Sequence, residues 1–227
     1  MIETNLKNIV QKIESKCKNV GRNPSEITLV AVSKLKPFEA IEEALELGLR
    51  EFGENRTPEF QQKAEELSKD INWHFIGHIQ TKKTKDIVPY ANLIHSVDTL
   101  KLANEINKRA GNINKVQHVL LEMKTSEEES KLGITNIEAA VEILDFCKNE
   151  KNILVEGLMT MAPFTNDEEV IRKSFRKMKS NFDTLNNRGY NLKHLSMGMT
   201  NDYEIAIEEG ATILRIGTAI FGDRDYS

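Results

Sequence analysis

Ile27-Thr28-Leu29-Val30-Ala31-Val32 is an almost unbroken apolar run, and Ser33-Lys34-Leu35-Lys36-Pro37 comes directly after it. A run of this kind reads as a strand buried on both faces, which is the habit of parallel sheets. The segment after the run narrows the topology. A doubly wound dinucleotide fold places a glycine-rich turn after its first strand. Here that position holds a polar segment with two lysines and no glycine.

Outward from this run the same alternation continues. Short β-branched or apolar runs predict strands at 49–52, 72–76, 93–97, 116–123, 153–158, 192–196 and 212–216. Stretches with helical apolar spacing fall between them. Phe38 to Leu47 is closed by Gly48, and Arg56 to Leu67 comes after the second strand. A short basic helix is expected at Lys82 to Ile87, and a helix capped by Asp98 after the fourth strand. Thr135 with Glu138 has capping-box spacing, and Asp167 to Asn186 and Asp202 to Glu209 supply two more helices. An opening helix carries Leu6, Ile9, Val10 and Ile13 on one face. Eight strand–helix repeats in about 200 residues predict a compact α/β fold, a single (β/α)8 barrel with an extra N-terminal helix. The whole chain, 1–227, is expected to be one domain.

Composition narrows the function classes. With 31 Lys+Arg against 35 Asp+Glu, the net charge of −4 argues against a dedicated nucleic-acid binder. A chain of 227 residues buries roughly 70% of its unfolded surface, so its core needs no staple. The N-terminus is polar and mixed in charge, unlike a signal peptide, and no run is long enough for a membrane helix. Cys17 and Cys147, the two cysteines, read as buried or half-buried thiols in a cytoplasmic protein. The pattern holds no zinc-ligand cluster. Thr125 to Lys131, TSEEESK, reads as an exposed loop.

Barrel enzymes carry their chemistry at the C-terminal ends of the strands. Lys34 stands at such an end, where partial desolvation lowers an amine's pKa and makes it nucleophilic. Lys36 places a second cation nearby. Gly217-Thr218 comes after the eighth strand, in a region where barrels often bind phosphate. Ser196 and Thr200, after the seventh strand, add possible hydroxyl donors, and Arg215 is expected to point inward beside them. An amine that traps aldehydes together with a phosphate cup fits pyridoxal 5′-phosphate. A Schiff-base aldolase acting on sugar phosphates needs the same two parts, so this pattern leaves both open.

Eight segments then carry a resemblance. AVSKLKP at 31–37, FGEN at 52–55, WHFIGHIQ at 73–80 and IHSVD at 94–98 are similar to the YggS/PROSC family of pyridoxal-phosphate-binding proteins. SEEESKLG at 126–133, GLM at 157–159, LSMGMTND at 195–202 and RIGTAIFGDRDYS at 215–227 resemble it as well, in the family order. Three positions depart from its usual pattern: Arg56 where an aromatic is common, Lys82 within Gln80-Thr81-Lys82-Lys83, and Thr200 where serine is usual.

The resemblance implies an alanine-racemase-like barrel, the fold type III arrangement, with pyridoxal 5′-phosphate held as a Schiff base on Lys34. It implies that Ser196, Gly217 and Thr218 hold the phosphate, that Arg215 faces the pyridine nitrogen, and that Asn55, His78 and Met199 lie near the ring. An arginine at that nitrogen makes the ring a weaker electron sink than a carboxylate does. Two-base racemisation would also need a second acid/base group. None of Tyr90, Tyr190, Tyr203 and Tyr226 sits at a strand end, and His78 is the best substitute. The resemblance implies a role in intracellular cofactor homeostasis, and the arginine and the lack of a clear second base favour a carrier or buffer over a strong catalyst, with a small racemase or lyase as the alternative. Apo-enzymes that need the cofactor are the implied acceptors, with Lys131 as a candidate transient amine in transfer. A monomer is expected, without metal, nucleic-acid or membrane contact.

Overall fold

A computed structural model of the chain describes residues 1–126 and 132–222. Eight strands close into one barrel in chain order. They are β1 Thr28–Val32, β2 Glu51–Glu54, β3 Asn72–Phe75, β4 Leu93–Val97, β5 Gln117–Glu122, β6 Ile153–Met159, β7 His194–Ser196 and β8 Ile213–Ile216. All neighbours pair parallel, and β1 closes on β8 with Val30 opposite Arg215. The helices are α1 Ile2–Asn19, α2 Phe38–Glu46, α3 Thr57–Glu66, α4 Thr84–Ile87, α5 Leu100–Gly111, α6 Ile137–Lys148, α7 Glu168–Asn187, α8 Tyr203–Glu208 and α9 Thr218–Phe221. The predicted barrel is thus the observed one.

Differences from the sequence reading lie at element ends. β2 starts at Glu51 rather than Leu49, because the Leu49 N–H still bonds the Ala44 carbonyl of α2 around a left-handed Gly48. Asp98 does not cap α5. Thr99 does, accepting from the Leu102 N–H. The Thr135–Glu138 capping box is not formed either, since the Asn136 side chain accepts from the Ala139 N–H at 2.8 Å. Both observed caps lie one residue beyond the predicted ones. Asp167 caps α7 through the N–H groups of Glu169 and Val170.

Within the TSEEESK stretch, Thr125 and Ser126 are buried rather than exposed. Thr125 Oγ1 lies 2.8 Å from Thr160 Oγ1 and 2.6 Å from Ser174 Oγ, so hydrogen bonds draw it inward. Lys131 lies outside the described residues.

Strand alternation sorts the side chains into two layers. One face of each strand packs against the helices, where Phe52, Phe60, Trp73 and Phe75 form tilted and edge-to-face contacts. Val30, Leu93, Leu120, Met159 and Ile213 form a separate cluster that fills the barrel itself. Gly53 makes room there, since a Cβ at that place would meet Val30 Cγ1 at 3.0 Å.

The extra helix α1 buries Ile2, Leu6, Ile9, Ile13 and Cys17 against α8 and α9, while Val10 faces outward. Asn5 Nδ2 donates to the Ile220 carbonyl and fastens α1 to α9. Cys17 and Cys147 are buried free thiols. No helix among the described residues is long and apolar enough to cross a membrane.

Candidate functional site

The C-terminal rim of the barrel surrounds a cavity of about 550 Å³. Each wall is supplied by a strand end, as the barrel topology dictates. Lys34 comes from the turn after β1, Asn55 from the end of β2, and Gly77-His78 from the end of β3. Met199-Thr200 lies beyond β7, Arg215 lies on β8, and Gly217-Thr218 opens α9. Seven of the eight residues expected from the sequence therefore meet on one cavity: Lys34, Asn55, His78, Met199, Arg215, Gly217 and Thr218.

Ser196 stands apart from them. It is fully buried, and its Oγ lies 2.5 Å from Arg215 Nη1 and 2.9 Å from His95 Nδ1. Its hydroxyl is engaged inside the barrel, and it is not part of the cavity wall. Thr200 occupies the wall where the serine was expected.

The turn carrying Lys34 is tightly held. The Lys36 N–H bonds back to the Ser33 carbonyl at 3.0 Å, and Leu35 takes φ of 60°, a conformation that costs a branched side chain energy. Three neighbours hold this turn in place. The Leu35 N–H donates to Glu59 Oε1, Lys63 Nζ donates to the Ser33 carbonyl, and Ser33 Oγ donates to Glu54 Oε1. Lys63 also pairs with Glu54 at 2.8 Å and Glu59 at 2.6 Å in a buried triad. Burial pushes the Glu54 carboxyl up despite the lysine beside it.

Arg215 is buried and held at two points, donating from Nη1 to Ser196 Oγ and from Nη2 to the Thr160 carbonyl at 2.8 Å. Burial lowers its pKa to about 10, and the charges of Asp202 and Glu122 act in the opposite direction. Burial, aided by the charge of Asp98, raises the Glu122 carboxyl to about 7. Burial raises Asp98 as well, against the pull of His78, whose Nδ1 lies 3.9 Å away.

Asn55 Oδ1 is buried and has no partner among the described residues. An acceptor left open in a cavity wall fits a bound molecule that carries a donor. Gly217 lies close under β1, where a Cβ would meet the Val32 carbonyl at 3.2 Å. A primary amine, a fixed guanidinium and a glycine–threonine helix start match an aldehyde, an aromatic nitrogen and a phosphate. No group of three or more His, Cys, Asp or Glu is placed for a metal ion among the described residues.

Two features escaped the sequence reading. The segment Met161 to Asn166 after β6 forms one side of the cavity, with Phe164 94% exposed. His95 lies inside β4 and is fully buried, with His74 of β3 beside it. A partial signal was present: His74 lies between Trp73 and Phe75, and His95 is two residues after Leu93, so strand alternation turns both histidines into the barrel.

The family described as alanine racemase, N-terminal domain, matches residues 5–225. The pyridoxal phosphate homeostasis protein of Aquifex aeolicus is 44% identical over 97% of both chains. PipY of Synechococcus elongatus, solved with pyridoxal phosphate bound, is 30% identical, with a TM-score of 0.85 over 98% of this chain and 100% of that one. An alanine racemase of Clostridium difficile shares the fold at 16% identity, with a TM-score of 0.77 over 96% of this chain and 57% of that enzyme.

Proposed function

The chain belongs to the family of pyridoxal phosphate homeostasis proteins, built on the alanine racemase N-terminal domain, and we propose that it binds pyridoxal 5′-phosphate covalently through Lys34 and stores or delivers it. The observation that carries this reading is the convergence of Lys34, Arg215 and Gly217-Thr218 on one cavity. When bound, the cofactor supplies an aldehyde that reacts with amines and a ring that withdraws electrons.

The chain's own residues have distinct parts in this reading. Lys34 presents its amine from a turn that Lys63 and Glu59 hold in place. Arg215, fixed by Ser196 and Thr160, offers its guanidinium to the ring nitrogen. Gly217 and Thr218 hold the phosphate, with Thr200 as the hydroxyl donor in place of Ser196. Asn55 and His78 border the ring, and Met199 covers it.

A carrier suits this site better than a racemase does. An arginine against the ring nitrogen disfavours ring protonation, because two cations would then be neighbours. No tyrosine lines the cavity among the described residues, so the phenol that could serve as second base is missing there. In this reading the whole chain is one cofactor-binding domain. It acts as a monomer in the cytoplasm and passes cofactor to apo-enzymes.

The test is an absorption spectrum before and after adding pyridoxal phosphate, then borohydride reduction and peptide mapping. A yellow band that reduces onto Lys34, and that Lys34→Ala lacks, supports the reading. A protein that stays colourless overturns it. Turnover of amino acids by the loaded protein would favour the enzyme instead.

A further inference from the structure

A line of hydrogen bonds crosses the barrel interior away from the cavity. Glu51 begins β2 at the opposite rim, and its Oε2 lies 2.7 Å from His74 Nε2. His74 Nδ1 lies 2.8 Å from His95 Nε2. His95 Nδ1 lies 2.9 Å from Ser196 Oγ, which takes the Arg215 Nη1 hydrogen at 2.5 Å. Both histidines are buried, whereas the Glu51 side chain is 30% exposed.

The two ends set the order of donation. Burial would raise the Glu51 carboxyl, but hydrogen bonds from His74 and Asn72 outweigh it and the net shift is downward. Glu51 is then an acceptor only, so His74 Nε2 donates. Where each imidazole holds one proton, His74 Nδ1 must accept, and His95 Nε2 donates to it. His95 Nδ1 then accepts, and Ser196 supplies its hydroxyl proton. Arginine has no acceptor, so it donates to the remaining Ser196 lone pair. Burial, and then the charges of His74, Arg215 and His194, hold His95 well below the usual imidazole range, in keeping with a single proton on that ring.

We propose that Glu51, His74, His95 and Ser196 form a one-way relay that orients Arg215 from the far rim of the barrel, which makes Glu51 a positioning residue for the cofactor site. This rests on the cofactor reading above. Five polar side chains in a row, all satisfied, are costly to assemble inside a barrel that apolar residues could fill. Their shared effect is on the one member that reaches the cavity. The relay ends in a carboxylate, so the buried guanidinium is linked to a counter-charge at the far rim.

The experiment has two arms. Nitrogen-15 NMR of the cofactor-free protein at pH 8 reads the imidazole tautomers. Protons on Nε2 of both His74 and His95 support the relay, and a proton on His95 Nδ1 overturns it. In the second arm Glu51→Ala, Glu51→Gln and wild type are titrated with pyridoxal phosphate, with folding checked by urea denaturation. Glu51→Ala should weaken binding about five- to tenfold, the scale of one charge-assisted hydrogen bond reduced by transmission. Glu51→Gln keeps an acceptor oxygen and should bind to within about threefold of wild type. Equal affinity for all three proteins overturns the relay. If wild type takes up no cofactor, the reading of the site fails, while the tautomers still decide the relay.

Discussion

Lys63 Nζ donates to the main-chain oxygen of Ser33 across 2.8 Å, and Ser33 immediately precedes Lys34. The lysine expected to carry the cofactor is therefore held by a second, buried lysine from α3. Lys63 is 2% exposed, and its charge is matched by Glu54 and Glu59. The left-handed Leu35 explains why such support is needed: without it the turn would relax toward an ordinary conformation.

Replacing Lys63 by methionine preserves bulk but leaves Glu54 buried without its cation. Loss of one partner from a buried pair costs about 3–5 kcal/mol. Lys63→Met should lower the unfolding free energy by that order in urea denaturation and weaken cofactor uptake. Adding Glu54→Gln to Lys63→Met should restore part of the stability, because the stranded charge is gone. If the double variant is no more stable than the single one, the buried charge is not the cause.

Gly77 lies just beyond β3, next to His78, with its carbonyl bonded by Ser96 Oγ. A Cβ there would lie 2.2 Å from the Asn55 carbonyl oxygen, a backbone atom that cannot swing aside. Gly77→Ala should therefore displace Asn55 at the cavity wall. The expected cost is at or above the roughly 1–3 kcal/mol of ordinary overpacking. Cofactor affinity should fall with it, and Gly48→Ala, strained but in open space, is the control that should leave affinity unchanged. Denaturation and cofactor titration of both variants check this.

The two thiols should be inert in the folded protein. Burial pushes the Cys147 thiol up to about 12, with Glu150 adding to the effect, and burial raises Cys17 too. Since the thiolate is the reactive form, a disulfide-exchange reagent should label neither cysteine in native protein and both in denaturant. Rapid labelling of native protein would show that α1 or α6 opens readily.

The barrel was legible because each strand is a short apolar run, and parallel strands buried on both faces must read that way. The cavity residues were legible for a related reason: topology puts every strand end on one rim, so Lys34, Arg215 and Gly217 had to meet. Caps were less so. Asp98 and Thr99 are both competent caps, as are Thr135 and Asn136, and side-chain chemistry alone does not choose between neighbours. Position alone offers Ser196 only as one of two hydroxyls near the phosphate, and the family resemblance assigns it to that group. Its true partners, His95 and Arg215, lie 101 and 19 residues away in sequence, and only strand alternation hints that they share the interior.

Glu122 ties stability to pH. Its carboxyl is raised from 4.5 to about 7, by burial first and by Asp98 second, with Arg215 opposing. Between those values the folded protein binds a proton that the unfolded chain lacks. Stability from this group is therefore present at low pH and is lost as pH rises toward 7. The shift corresponds to about 3–4 kcal/mol as an upper bound, since each unit is about 1.4 kcal/mol. Glu122→Gln stays neutral and should remove this dependence. Wild type and variant should unfold at similar urea concentrations near pH 4.5, and the variant should become the more stable as pH approaches 8. The comparison with wild type at each pH cancels the titration of distant groups, although Asp98 loses a repulsive neighbour and should titrate lower in the variant. A stability difference that does not change with pH would mean that Glu122 titrates in the folded protein as it does in the unfolded chain, and near neutral pH Arg215 would then share its end of the barrel with an ionised carboxylate.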